Sequence, residues 1–266
     1  MLPNCGCQTY STRRRLTFTA LERIGVTMTK NEVTLYAVPH SLYSGRARSY
    51  LINAGIAYTE KAANSAHFHE VVKPKAGGRN SLPTVELVDG TVIRDGAAII
   101  DHFESQSGHP FSPQTPKQNV ISRLFDVIGA EGLLRPAMHY RWNFDAENMD
   151  FLKYHFRMIV ALGDKNEAHA DKVIHAMRNL AGPSFGVQPH TVKTIEAVYL
   201  DQLRSFDDHF AQHGYLLGGR PCIGDFGLIA PLFAHLGRDP VAASLMQREA
   251  KHVYRWVERM NRFASD

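Results

Sequence analysis

The stretch Ser81-Leu82-Pro83, followed by Asp89-Gly90 and then by Asp95-Gly96-Ala97-Ala98, constrains the fold more than any other part of the chain. Pro83 has no N–H to give to a ladder, which places it at the first residue of a strand. Thr84 to Val88 and Thr91 to Arg94 supply the β-branched flanks of a hairpin. Asp-Gly is the preferred pair for a type I′ turn, in which both central residues take positive φ, so this turn is expected around Asp89-Gly90. Asp95, Gly96 and Ala97 then open a helix running through Ile99, Ile100 and Phe103, with unpaired backbone N–H groups at its tip. A proline-headed strand beside a helix N-terminus can hold an extended peptide at one end and an anion at the other.

A chain of 266 residues with 44% hydrophobic and 21% charged content suits one large or two modest soluble domains. The net charge of +4 is carried by the first thirty residues, where Arg13, Arg14, Arg15, Arg23 and Lys30 face only Glu22. The remainder is neutral, so the body has no nucleic-acid footprint, and no apolar run reaches the ~20 residues of a membrane span. Residues 1–31 read as a disordered or processed tail. A weak organelle-transit reading stands beside an inert one, and Met28 offers an alternative start. Cys5, Cys7 and Cys222 give no disulfide framework and suit a reducing, cytoplasmic compartment.

Val33 to Val38 reads as a strand, and Tyr43, Ala47, Tyr50, Leu51 and Ala54 as a helix closed by Gly55. Ile56 to Lys61 reads as a second strand, with a looser segment over 62–78. The order is β-α-β-(α)-β-β-α over residues 32–105. Three prolines and Gly108 mark 106–116 as a linker. Residues 117–266 are helical in period. One apolar stripe is Ile121, Leu124, Phe125 and Ile128. A second is Ile195, Val198, Tyr199, Phe206 and Phe210, and a third is Val253, Trp256, Val257 and Met260. Asp225 to Leu236 is apolar nearly all round, which marks a buried central helix. Cys222-Ile223-Gly224-Asp225 stands where its capping box belongs.

Three segments in this order and spacing resemble the cytosolic glutathione transferase family. They are Leu35-Tyr36 with Ser41 through Arg48, Leu82-Pro83 through Ile99, and Tyr215 through Phe226. The resemblance covers about Val33 to Phe263. It implies a thioredoxin-like α/β N-terminal domain followed by an all-α C-terminal domain, in a serine-type, bacterial- or fungal-like member. It also implies glutathione as co-substrate, a hydrophobic electrophile as partner and a homodimer. Two positions depart from the family pattern: Gly96 stands where most members have a serine that grips the γ-glutamyl carboxylate, and Cys222 where the capping box has Ser or Thr.

A free thiol with pKa near 8.5 is only about 3% ionised at pH 7. Lowering that value by roughly two units needs about 2.7 kcal/mol of preference for the anion. A hydrogen bond to a charged group supplies about 1.5–3 kcal/mol and a helix N-terminus about 0.3–1. Ser41, directly before the helix that starts at Leu42, is placed to stabilise a thiolate. The competing reading is that Ser41 only caps that helix. Tyr36 and Tyr43 are the rival hydroxyls, both assigned to core packing. A serine cannot form a mixed disulfide, which argues against thiol-exchange chemistry.

By the resemblance, Leu82 offers its backbone to the cysteinyl residue of glutathione with Pro83 cis, and Asp95 meets the γ-glutamyl ammonium. Backbone N–H groups at Gly96 and beyond meet the carboxylate, and Arg79 or Lys73 meets the glycyl end. The aromatic-rich stretch Leu133 to Phe144, with His139, Tyr140 and Trp142, is the candidate electrophile pocket, though such density also marks core. His209 and His213 share a helix face without a third ligand, and no metal is expected. The leading expectation is an enzyme that attaches glutathione to hydrophobic electrophiles, or uses it to cleave or isomerise them. The alternative, kept alive by Gly96, is a catalytically weak binding or regulatory module.

Overall fold

The computed structural model describes residues 33–79, 81–159 and 166–262; the expectations for the tail, including Cys5 and Cys7, lie outside these residues. Four short strands, β1 (Val33–Tyr36), β2 (Tyr58–Lys61), β3 (Thr84–Leu87) and β4 (Val92–Arg94), form one sheet in the order β2-β1-β3-β4. β1 runs parallel to β2 and antiparallel to β3, with Tyr36 opposite both Lys61 and Thr84, and β4 closes the sheet antiparallel to β3. The parallel pair needs a crossover, and α1 (Leu42–Asn53) provides it. A π-helical turn at Phe68–Val72 covers part of the sheet through Phe68, whose ring lies 4.9 Å from Tyr36. The helix α2 (Gly96–Gln106) follows β4. This is the thioredoxin-like arrangement, followed among the described residues by helices and one isolated bridge between Tyr215 and Gly218.

The hairpin departs from the type I′ expectation. Only Gly90 has positive φ (79°), and its N–H donates to the Leu87 carbonyl at 2.9 Å. Asp89 instead accepts the Thr91 N–H on its own carboxylate at 2.8 Å. That local bond settles Asp89 in an ordinary conformation and leaves the left-handed position to glycine.

The helical part comprises α3 (Pro116–Val127), α4 (Leu134–Trp142), α5 (Asp145–Arg157), α6 (Asn166–Phe185), α7 (Val192–Phe210), α8 (Ile223–Ala234), α9 (Pro240–Glu249) and α10 (Lys251–Met260). As its composition predicts, α8 is the central helix, buried at every position but Phe233. Val253, Trp256, Val257 and Met260 pack inward from α10. The segment joining α2 to α3 is itself packed, with the Phe111 ring 5.5 Å from Tyr50 and 5.1 Å from Phe226.

The stripe expected on α3 is only half realised: Ile121 and Phe125 are half-buried, with Phe125 packed on the core, but Leu124 and Ile128 are exposed and the fully buried residues are Ser122 and Asp126. The cause is a backbone-to-backbone crossing with α8. A Cβ on Gly227 would lie 2.4 Å from the backbone of Asp126, and one on Gly224 2.7 Å from the Ser122 carbonyl. No large side chain fits there, so short polar ones face α8: Ser122 Oγ accepts the Gly224 N–H at 3.0 Å, and Asp126 turns to Arg46.

The start of α8 is held by Asp225. Its carboxylate accepts the Cys222 N–H (2.9 Å), the Leu216 N–H (3.1 Å), the Trp256 Nε1–H (3.0 Å) and the Cys222 thiol (3.2 Å). The capping box forms as expected, and the thiol of Cys222 acts in it as a donor to Asp225.

Candidate functional site

The end of β1, the loop 37–41 and the start of α1 bring two polar neighbourhoods together. Ser41 occupies the N-cap position of α1 with extended backbone (φ −84°, ψ 121°), but its side chain makes no capping hydrogen bond. The capping role expected as the alternative is therefore not played, and the hydroxyl, at a helix N-terminus, makes no hydrogen bond among the described residues. The preceding residue is fixed from the helical part. Arg141 donates to the His40 carbonyl at 2.8 Å and to the Ala234 carbonyl at 3.1 Å, while pairing with the buried carboxylate of Asp239 at 2.7 and 2.8 Å. Thus Arg141 ties the backbone next to Ser41 to the C-terminal end of α8.

A cleft of about 240 Å³ is lined by Tyr43, Ser81, Leu82, Pro83, Arg94, Asp95 and Glu131. Leu82–Pro83 is a cis peptide, and the Pro83 carbonyl accepts the Asp95 N–H at 3.1 Å, joining the strand start to the helix start. Ser81 Oγ is buried without a hydrogen-bond partner among the described residues. Asp95 sits at φ 85°, in the left-handed region uncommon for any residue but glycine. Its carboxylate accepts the N–H groups of Ala97 (2.8 Å) and Ala98 (3.4 Å), so two of the donors expected to remain free for an anion are used by the helix's own cap. Gly96 is buried beneath Arg46: a Cβ there would lie 3.2 Å from Arg46 Cδ. Arg46 is bound at its far end to Asp126 at 2.6 and 2.7 Å.

The sequence brought Leu82, Pro83 and Asp95 to one place, and the structure joins them in this cleft. Gly96, Ser41 and Arg79 are not among its lining residues; Gly96 is buried and Arg79 is exposed. Tyr43, assigned to the core by helical spacing, is 37% exposed and lines the cleft. Burial, then the carboxylates of Glu131 and Asp95, hold its phenol above the ordinary range. Tyr36 is core, with its phenol donated to Glu86 at 3.0 Å and shifted upward by burial and that carboxylate. Arg94 and Glu131 carry no sequence signal, since their place in the cleft depends on the fold and no motif marks them.

His139, Tyr140 and Trp142 line neither this cleft nor the second one below. His139 bonds to Glu196 at 2.9 Å and Asn143 at 2.8 Å, Tyr140 stacks on Phe144, and Trp142 packs against Phe156. The rings of this stretch pack on one another and on Phe156 and Tyr199. His209 lies 4.8 Å from His213, ring to ring, and faces the Tyr215 carbonyl. Among the described residues no group of three or more His, Cys, Asp or Glu is arranged to hold a metal, and no helix is long and apolar enough to cross a membrane.

A second cleft, of about 290 Å³, lies where the loop 37–40 and the end of β2 meet the last turn of α5. His40 lines it from one side and Tyr154, His155 and Met158 from the other. In sequence, Ser41 stands between His40 of this cleft and Tyr43 of the first.

Residues 35–111 match the family model for the N-terminal domain of glutathione S-transferase, and residues 169–263 match that for its C-terminal domain. A search of the curated proteins finds no match. Among solved structures the chain is similar to the beta-etherase LigF from Sphingobium sp. strain SYK-6, at 13% identity over 86% of this chain and 95% of that one, TM-score 0.56. It is similar to glutathione transferase GSTFuA3 from Phanerochaete chrysosporium, at 11% identity over 86% and 95%, TM-score 0.57. It is also similar to a glutathione S-transferase from Sinorhizobium meliloti, at 14% identity over 86% and 87%, TM-score 0.50. These likenesses concern the fold.

Proposed function

Because the chain belongs to the glutathione S-transferase family, we propose that it is a serine-type transferase that binds glutathione in the Leu82–Asp95 cleft and stabilises its thiolate with the Ser41 hydroxyl. The thiolate then attacks a hydrophobic electrophile. A sulfur–carbon bond forms, the leaving group departs with its electron pair, and the thiol proton passes to solvent. The observation that carries this reading is the convergence of Leu82, Pro83 and Asp95 on one cleft. The unengaged Ser41 hydroxyl, at the N-terminus of α1, supports it. The charges of the cleft suit a peptide that carries both signs. Asp95 and Glu131 face the γ-glutamyl ammonium, and Arg94 offers a partner for its carboxylate. In this reading the glutathione-binding domain spans 32–105 and the helical domain 117–266. The exposed apolar positions of α3, Val120, Leu124, Val127 and Ile128, support a homodimer. The setting is cytoplasmic and the role detoxification.

Replacing Ser41 with Ala tests the assignment. Turnover with glutathione and an aryl halide is expected to fall about ten- to a hundredfold, the worth of one hydrogen bond to a developing anion. The thermal midpoint is expected to stay unchanged, because the hydroxyl supports no contact in the fold. Unchanged turnover would move the role to Tyr43. The second reading, a catalytically weak binding module, is favoured by one observation: Asp95 already occupies the Ala97 and Ala98 N–H groups, beside a glycine at position 96. Retention on immobilised glutathione without turnover of several electrophile types would establish it.

A further inference from the structure

The second cleft is chemically unlike a simple apolar pocket. Val38, Tyr154 and Met158 give it an apolar body. The charged groups around it are unevenly compensated. Glu60, on its wall, is bound bidentately by Arg48 at 2.6 and 2.7 Å, and Asp239 is taken by Arg141. Lys61, also on the wall, is exposed and makes no ion pair among the described residues. Arg238, behind the wall, likewise has no carboxylate within ion-pair distance. It lies over the rings of Phe233 (5.4 Å) and Phe151 (5.9 Å) and donates to His155 Nε2 at 3.1 Å. With Nε2 accepting from a guanidinium, the ring proton of His155 is fixed on Nδ1, which has no partner among the described residues. His155 is thus a neutral donor polarised from behind by a cation. Burial and the nearby arginines keep both histidines uncharged, His155 below its ordinary range and His40 pushed down to about 2.

From this arrangement we infer that the second cleft is the acceptor site and that it selects acceptors with an apolar body and an anionic group, a carboxylate or phenolate, received by Lys61 and His155 with Arg238 behind. This rests on the transferase reading above. It replaces the Leu133–Phe144 stretch as the place of the electrophile, and it adds a charge requirement that a purely hydrophobic pocket would lack. A neutral molecule would leave the Lys61 ammonium and the His155 donor, with Arg238 behind it, unmatched, whereas an anion compensates them at short range.

The test compares a chloronitrobenzoate with its neutral methyl ester, each with glutathione and the intact protein. Direct binding of both compounds is measured by calorimetry alongside turnover. The acid is expected to be favoured by about tenfold in kcat/KM and in binding, the worth of one charge-assisted contact. In Lys61→Gln, and separately in His155→Gln, that ratio is expected to collapse toward one through a higher KM for the acid. Equal handling of acid and ester, or preference for the ester, overturns the proposal while leaving the transferase reading intact. If neither compound is turned over, the binding ratio alone decides the character of the cleft: a preference for the acid supports the proposal and equal binding overturns it. If Lys61→Gln raises the KM for glutathione and leaves the acid-to-ester ratio unchanged, the anion received there is the glycyl carboxylate of glutathione, and the acceptor proposal falls.

Discussion

Two aspartates serve helix starts in this protein and end up in opposite circumstances. Asp225 is fully buried at the beginning of α8 and accepts four hydrogen bonds, from two backbone amides, an indole and a thiol. Asp95 lies at the exposed start of α2, holds a left-handed backbone conformation and accepts two. The first side chain is saturated from inside the fold. The second retains acceptor capacity toward a cleft, at the cost of backbone strain of order 1–3 kcal/mol. The contrast separates a carboxylate that joins segments of the core from one left with chemistry to spare.

The sharpest way to break the comparison is Asp225→Ala. Its removal leaves the Trp256, Leu216 and Cys222 donors buried and unpaired, and a loss of about 3–5 kcal/mol is expected in urea unfolding. A loss below about 1 kcal/mol would mean that water replaces the carboxylate and that the two aspartates are not different in kind. Acid acts next, on the buried polar region around Arg141. His40 is pushed down to about 2 and His235 lies well below its ordinary range, both by burial first and then by Arg141. The unfolded chain takes up these protons below about pH 6.5 and the folded chain refuses them. Stability is therefore complete above that pH and falls as pH drops through it, by up to about 1.4 kcal/mol per pH unit for each histidine. Urea midpoints measured at successive pH values check this, and a flat profile between neutrality and pH 5 would contradict it.

Asp95→Ala sharpens the comparison from the other side. The lost cap is worth about 1 kcal/mol, while retention on immobilised glutathione is expected to drop about tenfold or more. A variant that melts lower but binds glutathione normally would reduce Asp95 to a second structural aspartate. The smallest effect is expected from Gly96→Ser. Its hydroxyl gains a contact with the γ-glutamyl carboxylate, but its Cβ meets Arg46 Cδ at 3.2 Å. Glutathione affinity is expected to change by no more than about threefold, read by calorimetry.

The element order, the α8 core helix, its capping box and the proline-headed strand were legible because each is a local pattern of a few residues with one dominant physical cause. Pro83 lacks a donor, Asp225 follows Cys222 at capping distance, and α8 is apolar on all sides. What failed to show was set by crossings between distant segments. Leu124 and Ile128 read as an inward stripe, but the glycines of α8 bring the α3 backbone so close that only Ser122 and Asp126 fit. Tyr43 obeyed the spacing of its helix and still faced outward, because α1 is wrapped on most sides and leaves only the cleft open. His139, Tyr140 and Trp142 line neither cleft described above, since aromatic density signals equally a cavity wall and a set of mutually packed rings. Lys61, His155 and Arg238 gave no signal at all; residues so far apart in the chain become a site only through tertiary structure.

The Arg46–Asp126 pair carries a consequence for how this cleft can change. Arg46 lies over the backbone of Gly96 and is anchored on α3, so a side chain at position 96 presses on an ion pair that links α1 to α3. A side chain at 96 asks Arg46 to give way by a few tenths of an ångström. Improving the grip on glutathione by the most direct single substitution therefore draws on the joint between the two halves of the molecule. The easier route is a paired change that shortens residue 46 and neutralises residue 126 together, so that ligand affinity and interdomain cohesion vary as one linked trait.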